Sequence, residues 1–255
     1  MDHIEQYLAH FQTIDLDGLN AIKLMKRFDN KFIFHRDKLE PVLNYLQKGY
    51  QILKIDENCA FKYENLYYDT ADHFFYLQHH NRKLNRYKLR CRKYIETNQC
   101  FFEIKFKNNK GKTIKNRLLL EDSNIRNELS EESKKFAREH VLINNGDIID
   151  LVGPSLWISF NRITFGNLIN KERLTFDVNL TYTDKQMNSK KINNLVIAEI
   201  KSENTSMNSP FFQYLKSIKI FPSRFSKYCM GIAMMEKDIK HNRFKKKLLK
   251  LNKLM

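Results

Sequence analysis

One short segment carries a cation at every second position, which is the spacing needed to line one side of a β-strand with positive charge. Because successive strand side chains point to opposite faces, all four cations share a face and apolar residues fill the other. Side chains two residues apart lie roughly 7 Å from each other, so like charges repel there unless an anion lies between them. The arrangement therefore indicates a surface that holds an extended anion. The cations are Arg86, Lys88, Arg90 and Arg92.

The same alternation recurs along the chain and predicts an antiparallel sheet with one charged and one apolar face. Lys105 and Lys115 fall on the charged faces of two of these segments, and Glu199 falls on that of another. In the segment 172–181, Arg173, Thr175 and Asp177 oppose Leu174, Phe176, Val178 and Leu180. An ordinary solvated sheet face remains an alternative at this stage. The candidate strands are 22–34, 63–69, 84–94, 100–107, 113–120, 156–166, 172–181 and 195–202.

Helical patterns are interspersed with these strands. A capping box predicts a helix start at Asp37, Pro210 opens another helix, and Ser226 is a candidate N-cap for a third. Further helices are expected over 3–12, over 70–80, and within the polar segment 121–150. Without a linker or repeat, we expect one domain over 21–235, preceded by an N-terminal helical segment (1–20) and followed by a basic tail (236–255).

Composition narrows the function classes. The 255 residues contain 45 Lys and Arg against 29 Asp and Glu, a formal net charge of +16, while 42% are hydrophobic. This describes a folded protein with a polyanionic partner rather than a disordered basic tail. The four cysteines form no CxxC pair, and no signal peptide or long apolar run is present, so we expect a reduced, cytoplasmic protein without a membrane span.

Familiar catalytic motifs are not found. The run KGKT at 110–113 imitates the end of a phosphate-binding loop, but it lacks the preceding glycine and lies in a predicted hairpin. His79 and His80 are adjacent and would point apart on a helix, which disfavours a zinc site. No nucleophile elbow occurs.

Nine short motifs in order resemble the VTC domain of polyphosphate polymerases, over about residues 20–235. That family belongs to the triphosphate tunnel (CYTH-like) superfamily. The resemblance implies an α+β fold in which antiparallel strands close into a barrel tunnel with a basic lumen and helices pack outside. The motifs are RFDNK, YYDT, KLRCR, EIKFK, KNR, FNR, RLTFD, AEIK and RFSKY.

The resemblance also implies roles for individual residues. Glu199 matches the carboxylate that holds a divalent metal, Mn²⁺ or Mg²⁺. The residues implied in catalysis are Lys31, Arg90, Arg92, Lys105, Arg162 and Lys227. Those implied in binding substrate phosphates are Arg27, Lys115, Arg117, Arg173 and Ser226.

Structural roles compete with these assignments. Asp177 is expected to pair with Arg173 on its own strand, and Glu103 with Lys105. Glu199 is read as a salt-bridge partner if the family resemblance is set aside. The basic residues of the tail, such as Lys247, indicate a solvated terminus or, alternatively, contact with a polyanion or an anionic membrane surface.

The sequence leaves three possible functions. The first is a polyphosphate polymerase-like phosphotransferase that moves the γ-phosphate of ATP onto a polyphosphate chain. The second is a tunnel-fold triphosphatase. It is disfavoured because the stretch from Arg27 to Lys31 lacks the Glu-x-Glu-x-Lys pattern typical of the triphosphatases with this fold. The third is a non-catalytic protein that binds polyphosphate or RNA. Nucleic acid is disfavoured because the strand aromatics are expected opposite the cations, whereas single-strand binders stack bases within the basic surface.

Overall fold

The computed structural model describes residues 2–22, 28–122, 125, 127–203 and 209–255. Arg27, predicted to bind phosphate, lies outside the described residues. No helix in the described ranges has both the length and the apolar character needed to cross a bilayer.

Strands dominate the described chain, and most begin and end within a few residues of the predicted bounds. The strands β8 and β9 are longer than expected, and the short strands β1, β3 and β10 are additional. The strands are β1 (Thr13–Ile14), β2 (Phe28–His35), β3 (Gln51–Leu53), β4 (Ala60–Thr70), β5 (Arg86–Tyr94), β6 (Gln99–Lys107), β7 (Thr113–Leu120), β8 (Val152–Asn167), β9 (Glu172–Thr183), β10 (Ser189–Ile192) and β11 (Leu195–Ser202).

Helices fill the connections. The predicted N-cap at Ser226 is in place, since Ser226 Oγ accepts a hydrogen bond from the Cys229 amide at 3.3 Å. The capping box predicted at Asp37 is wrong, because the helix Leu39–Leu46 has Lys38 as its N-cap and no side-chain capping hydrogen bond. Thr70 Oγ1 accepts a hydrogen bond from the Phe74 amide at 2.9 Å. The helices are α1 (Asp2–Leu8), α2 (Leu16–Ala21), α3 (Leu39–Leu46), α4 (Phe74–His80), α5 (Glu131–His140), α6 (Pro210–Ser217), α7 (Lys227–Met235) and α8 (Lys245–Asn252), with 3₁₀ turns at Arg36–Lys38, Ile143–Leu151 and Asn242–Phe244.

The main strands form one antiparallel sheet in the order β2-β11-β9-β8-β4-β5-β6-β7. In a flat sheet, β2 and β6 would be roughly 29 Å apart, since they are separated by six strand spacings. Lys31 on β2 nevertheless lowers the pKa of Lys105 on β6, and Lys115 on β7 lowers that of Lys201 on β11. The sheet is therefore strongly curved, and its two ends face each other across the concave side.

The expected closed barrel is not formed by the described strands. The edge strands β2 and β7 share no ladder, so the structure is a curved open sheet. The α+β class with a large antiparallel sheet is confirmed.

The prediction that all helices pack outside is wrong for α7. Its buried residues pack against Ile33, Leu156 and Ile197, which lie on the concave side of the sheet. A helix that is apolar all round must be buried, and α7 is buried along Tyr228–Ala233. At Gly231 a Cβ atom would lie 2.4 Å from Leu156 Cδ2 and 2.6 Å from a Tyr182 ring carbon, so only glycine permits this close approach.

Helices α1, α3, α5 and α6 cover the convex side. One cluster joins α1, α3 and α6 to the outer residues of β2, β8, β9 and β11, with Phe32 and Phe211 fully buried. Another joins α5 to the outer residues of β5 and β6, including Leu89 and Phe102. The apolar residues that alternate with the cations of β5 are therefore core, as predicted.

A β-bulge in β9 changes the expected alternation of faces. Ser159 pairs with Thr181 whereas Asn161 pairs with Val178, so β9 contains one extra residue. Asn179 sits in the left-handed region at φ 55°, which Asn tolerates better than most residues. Beyond the bulge Leu180 packs with α7 on the concave side, and the prediction that it joins Leu174 on the apolar outer face is wrong.

Candidate functional site

The concave side carries most of the predicted site residues, and we call it the charged face. Strand pairing places Arg90 opposite Tyr67 and Glu103, and Lys105 opposite Lys88 and Lys115, all with the same orientation. At the other end of the strand order, pairing aligns the predicted residues of four strands on this same concave face. These are Lys31, Glu199, Arg173 and Arg162.

Lys31 and Glu199 form an ion pair between the adjacent strands β2 and β11. The Lys31 Nζ and Glu199 Oε1 atoms are 2.5 Å apart, and the two side chains are 31% and 16% exposed. Burial opposes ionisation of Glu199, but Lys201 and Lys31 outweigh it and lower the pKa of this carboxyl to about 2. Glu199 is therefore an anion at every physiological pH.

Asp177 holds two predicted site cations at the junction of β8, β9 and α7. Arg162 donates to both of its carboxylate oxygens, at 2.6 and 2.9 Å, and Lys227 Nζ donates to Oδ2. Burial is outweighed by these cations, so the pKa of Asp177 lies well below its usual range. The expected pairing of Asp177 with Arg173 is replaced by this cross-strand arrangement.

Arg90 and Arg92 of β5 are fixed by different partners. Arg90 donates to Glu103 at 2.6 Å and to the Tyr67 hydroxyl at 2.9 Å. Arg92 donates through Nε to Asn65 Oδ1 at 2.9 Å. Glu103 thus pairs with Arg90 across the strands, and the prediction of a Glu103–Lys105 pair is wrong. Both guanidinium planes are anchored at one side, which pre-orients the rest for a phosphate.

Lysines converge on the opposite part of the charged face. Lys105 is open to solvent, yet the surrounding protein atoms and the cations Lys88, Lys115 and Lys31 lower its pKa to about 7. Lys88 donates to Ser226 Oγ at 2.7 Å, which links β5 to the N-cap of α7. These lysines repel each other, and an anion placed among them would favour the charged form of Lys105.

The remaining predicted residues lie nearer the edge of the charged face or beside Lys201, which the sequence did not single out. Arg117 and Lys115 are exposed on β7, and Arg173 is partly buried on β9. Lys201, which was not predicted, pairs in register with Arg173, and burial lowers its pKa to about 8. Its position two residues after Glu199 was the available signal.

Aromatic rings also belong to the charged face, contrary to expectation. Arg92 and Arg162 lie over the Tyr63 ring at 5.2 and 5.1 Å from its centroid, and Lys227 lies over Phe160 at 4.1 Å. These distances are within cation–π range. The premise used against RNA is therefore wrong, although these rings face arginine and lysine groups instead of open solvent. The signal was the alternation Tyr63, Asn65, Tyr67, whose polar-tipped side chains all suit a charged surface.

The charged face offers few protein ligands to a divalent metal. The described residues contain no group of three or more His, Cys, Asp or Glu side chains able to hold one. Glu199 is opposite Thr175 in register, and the buried Thr175 Oγ1 has no hydrogen-bond partner among the described residues. One carboxylate with a neighbouring hydroxyl fits a magnesium-like ion that takes its other ligands from phosphate oxygens and water.

Two solved structures align with most of this chain at low sequence identity. The chain aligns with a proposed adenylate cyclase from Bacillus halodurans at 15% identity and a TM-score of 0.50, covering 84% of this chain and 100% of that one. It also aligns with a proposed adenylyl cyclase from Hippeastrum, reported to have a dominant triphosphatase activity, at 13% identity and a TM-score of 0.48, covering 84% and 98%. A comparison with curated proteins gave no significant match.

The first of these alignments shows a shared fold, and the family follows from the sequence itself. The VTC domain model matches residues 26–236, which include the described strands from β2 to β11 and helix α7. The chain therefore belongs to the VTC domain family.

Proposed function

We propose that this protein is a polyphosphate polymerase, which transfers the γ-phosphate of ATP to the end of an inorganic polyphosphate chain lying along the charged face. In this proposal the concave side of the open, curved sheet acts as a basic channel lined by the charged face. The observation that carries the proposal is the convergence of cations from both ends of the sheet around Lys105, whose pKa is lowered to about 7 by the surrounding protein atoms and by neighbouring lysines.

A site of this kind favours a long anion over a single small one. Lys31, Arg90 and Arg162 are already partnered by carboxylates, so they remain charged and fixed before substrate arrives. Lys88, Lys105 and Lys115 repel one another across three neighbouring strands. Successive phosphates, each with about one negative charge, would neutralise both groups of cations at once.

The transfer step needs little proton chemistry. A terminal oxygen of the polyphosphate chain attacks the γ-phosphorus of ATP, the bond from that phosphorus to the β–γ bridging oxygen breaks, and ADP leaves with that electron pair. The attacking oxygen is already anionic, so positioning and charge neutralisation suffice. Asp177, Glu103 and Glu199 are each bound to a cation, which suits them to orient Arg162, Arg90 and Lys31 rather than to act as bases.

Glu199 and the Thr175 hydroxyl are the groups that would hold a divalent cation, Mg²⁺ or Mn²⁺. When bound, the ion would neutralise charge on the substrate phosphates. Glu199 would then be shared between the ion and Lys31, so Lys31 could also bind a phosphate oxygen.

The proposal is tested by incubating the purified protein with ATP and Mg²⁺ or Mn²⁺, and by following polyphosphate on gels and phosphate release in solution. We expect a polyphosphate ladder that Glu199→Gln and Arg90→Ala abolish, while Glu64→Gln, in an exposed ion pair on the convex side, has no effect. Phosphate release without chain growth would instead identify a triphosphatase. Preferential binding of oligonucleotides over polyphosphate, without turnover, would identify an RNA-binding protein.

A further inference from the structure

A polar cavity lies on the convex side of the sheet, opposite the charged face. Its volume is about 570 Å³, within the range of small-molecule sites. Ser159 and Asn161 of β8 line it, and they alternate with Phe160 and Arg162, which point to the charged face. The cavity is thus separated from the charged face by the sheet itself, and we call it the outer pocket.

Three cations from three different elements line the outer pocket. Arg36 follows β2, Lys62 belongs to β4, and Lys191 belongs to β10. Lys62 also pairs with the exposed Glu64 at 2.8 Å. Within the described ranges, neither Arg36 nor Lys191 forms an ion pair with a carboxylate, so the pocket has an uncompensated positive charge.

The Arg36 guanidinium is held in place by the bulge in β9. Its Nη1 atom donates to Asn179 Oδ1 at 3.0 Å, and the Asn179 amide donates to Asn161 Oδ1 at 3.2 Å. Asn179 is the residue with the left-handed backbone, and the Arg36 amide is fixed by the Asn194 carbonyl at 2.8 Å. Strained backbone and bulges of this kind cluster at functional sites, where they aim side chains.

The lining chemistry defines the ligand class. Apart from the cations, the lining side chains are asparagines, a serine and a threonine, which offer hydrogen-bond donors and acceptors. No aromatic or aliphatic side chain is among the described lining residues, so a nucleobase finds nothing to stack on. Phosphate groups suit Arg36 and Lys191, and hydroxyl groups suit the amides.

We propose that the outer pocket binds a phosphorylated sugar or polyol, at a site separate from the charged face. Arg36 takes a phosphate through its unshared N–H groups, Lys191 takes a second one, and the asparagines bind the hydroxyl groups between them. This inference does not depend on the polymerase reaction.

The test is calorimetric titration with fructose 1,6-bisphosphate, with inorganic pyrophosphate in parallel. Lys191→Gln is compared with Lys190→Gln, a matched control that removes the same charge from the adjacent residue of β10. We expect the bisphosphate to bind the native protein, Lys191→Gln to weaken it about tenfold or more, and Lys190→Gln to change it less than about twofold. Arg36→Gln should weaken it at least as much, and its unfolding curve checks that the fold is kept.

Two further comparisons separate this site from the charged face. Arg92→Gln, on the charged face, should leave bisphosphate binding intact. The outer pocket should also bind the sugar bisphosphate more tightly than pyrophosphate, which would show that it recognises the hydroxyl groups. The proposal is overturned if the bisphosphate fails to bind, if Lys190→Gln and Lys191→Gln weaken it equally, if Arg92→Gln abolishes it, or if pyrophosphate binds the outer pocket as tightly.

Discussion

Two parts of the charged face hold their cations in opposite ways. In the part around Asp177, the side chains of Arg162 and Lys227 are only 14% and 16% exposed, and both bind the Asp177 carboxylate. Around Lys105, three lysines of neighbouring strands face one another, and Lys105 itself is open to solvent. The first part is an internal salt bridge that exists without ligand, and the second is a set of like charges.

The difference separates fold stability from ligand binding on one surface. Breaking a buried ion pair leaves an uncompensated charge and is expensive, whereas removing one of several repelling lysines relieves a penalty. Substitutions around Asp177 should therefore act mainly on stability, and substitutions around Lys105 mainly on affinity.

The largest effect is expected for Asp177→Asn, which leaves Arg162 buried without its counter-ion. We expect the free energy of unfolding to fall by about 3–5 kcal/mol, measured by urea denaturation. The matched control is Glu64→Gln, because Glu64 and Lys62 form an exposed pair that should contribute about 0–1 kcal/mol. Equal small losses in both variants would contradict the distinction between the two parts.

Lys105→Met should show the converse pattern. The free energy of unfolding should stay the same or rise slightly, because repulsion by Lys88 and Lys115 is removed. Affinity for inorganic triphosphate should fall by about 1.5–3 kcal/mol, the scale of a hydrogen bond to a charged group. Lys110→Met, at the tip of the β6–β7 hairpin, controls for the lost net charge. A destabilised Lys105→Met protein with normal affinity would refute the assignment.

The pH dependence of binding sharpens the same comparison. With a pKa lowered to about 7, Lys105 is protonated below that pH and neutral above it in the free protein. Binding an anion favours the charged form, so triphosphate affinity should decline from pH 7.5 to 9, by up to about tenfold per pH unit. Lys105→Arg keeps its charge throughout and should flatten this slope. Calorimetry in buffers of different ionisation enthalpy measures the proton uptake, and an unchanged slope in Lys105→Arg would exclude Lys105 as its source.

The smallest effect is expected for Tyr63→Leu. The variant removes the ring beneath Arg92 and Arg162, and each cation–π contact contributes about 0.5–1 kcal/mol. Triphosphate affinity should fall less than about fivefold, while Tyr63→Phe, which keeps the ring, should behave as the native protein. A larger loss in Tyr63→Phe than in Tyr63→Leu would show that the hydroxyl, and not the ring, matters.

Local patterns predicted most of the elements and the charged face. Alternation is a property of neighbouring residues, so the cations of β5 and the outer core residues between them were correctly separated. The N-cap at Ser226 was equally local. The bulge at Asn179 was missed because one extra residue in a strand leaves no gap in the pattern, although Asn within an apolar strand was a hint.

Contacts between distant strands could not be predicted. Sequence reasoning paired Glu103 and Asp177 with cations two or four residues away on the same strand. The structure pairs them with Arg90 and Arg162 on adjacent strands, because directly opposite residues lie closer than residues two positions apart. The position of α7 on the concave side was also hidden, although a helix without a polar face already indicated complete burial.

The order of strands has a consequence for how the chain is made. The strand β2 emerges from the ribosome well before its ladder partner β11, which follows only after most of the remaining sheet. Until then β2 is an unpaired edge rich in phenylalanine, and the apolar part of the concave side awaits α7, which is synthesised later still. We expect slow folding, with nascent chains that depend on chaperones to avoid aggregation.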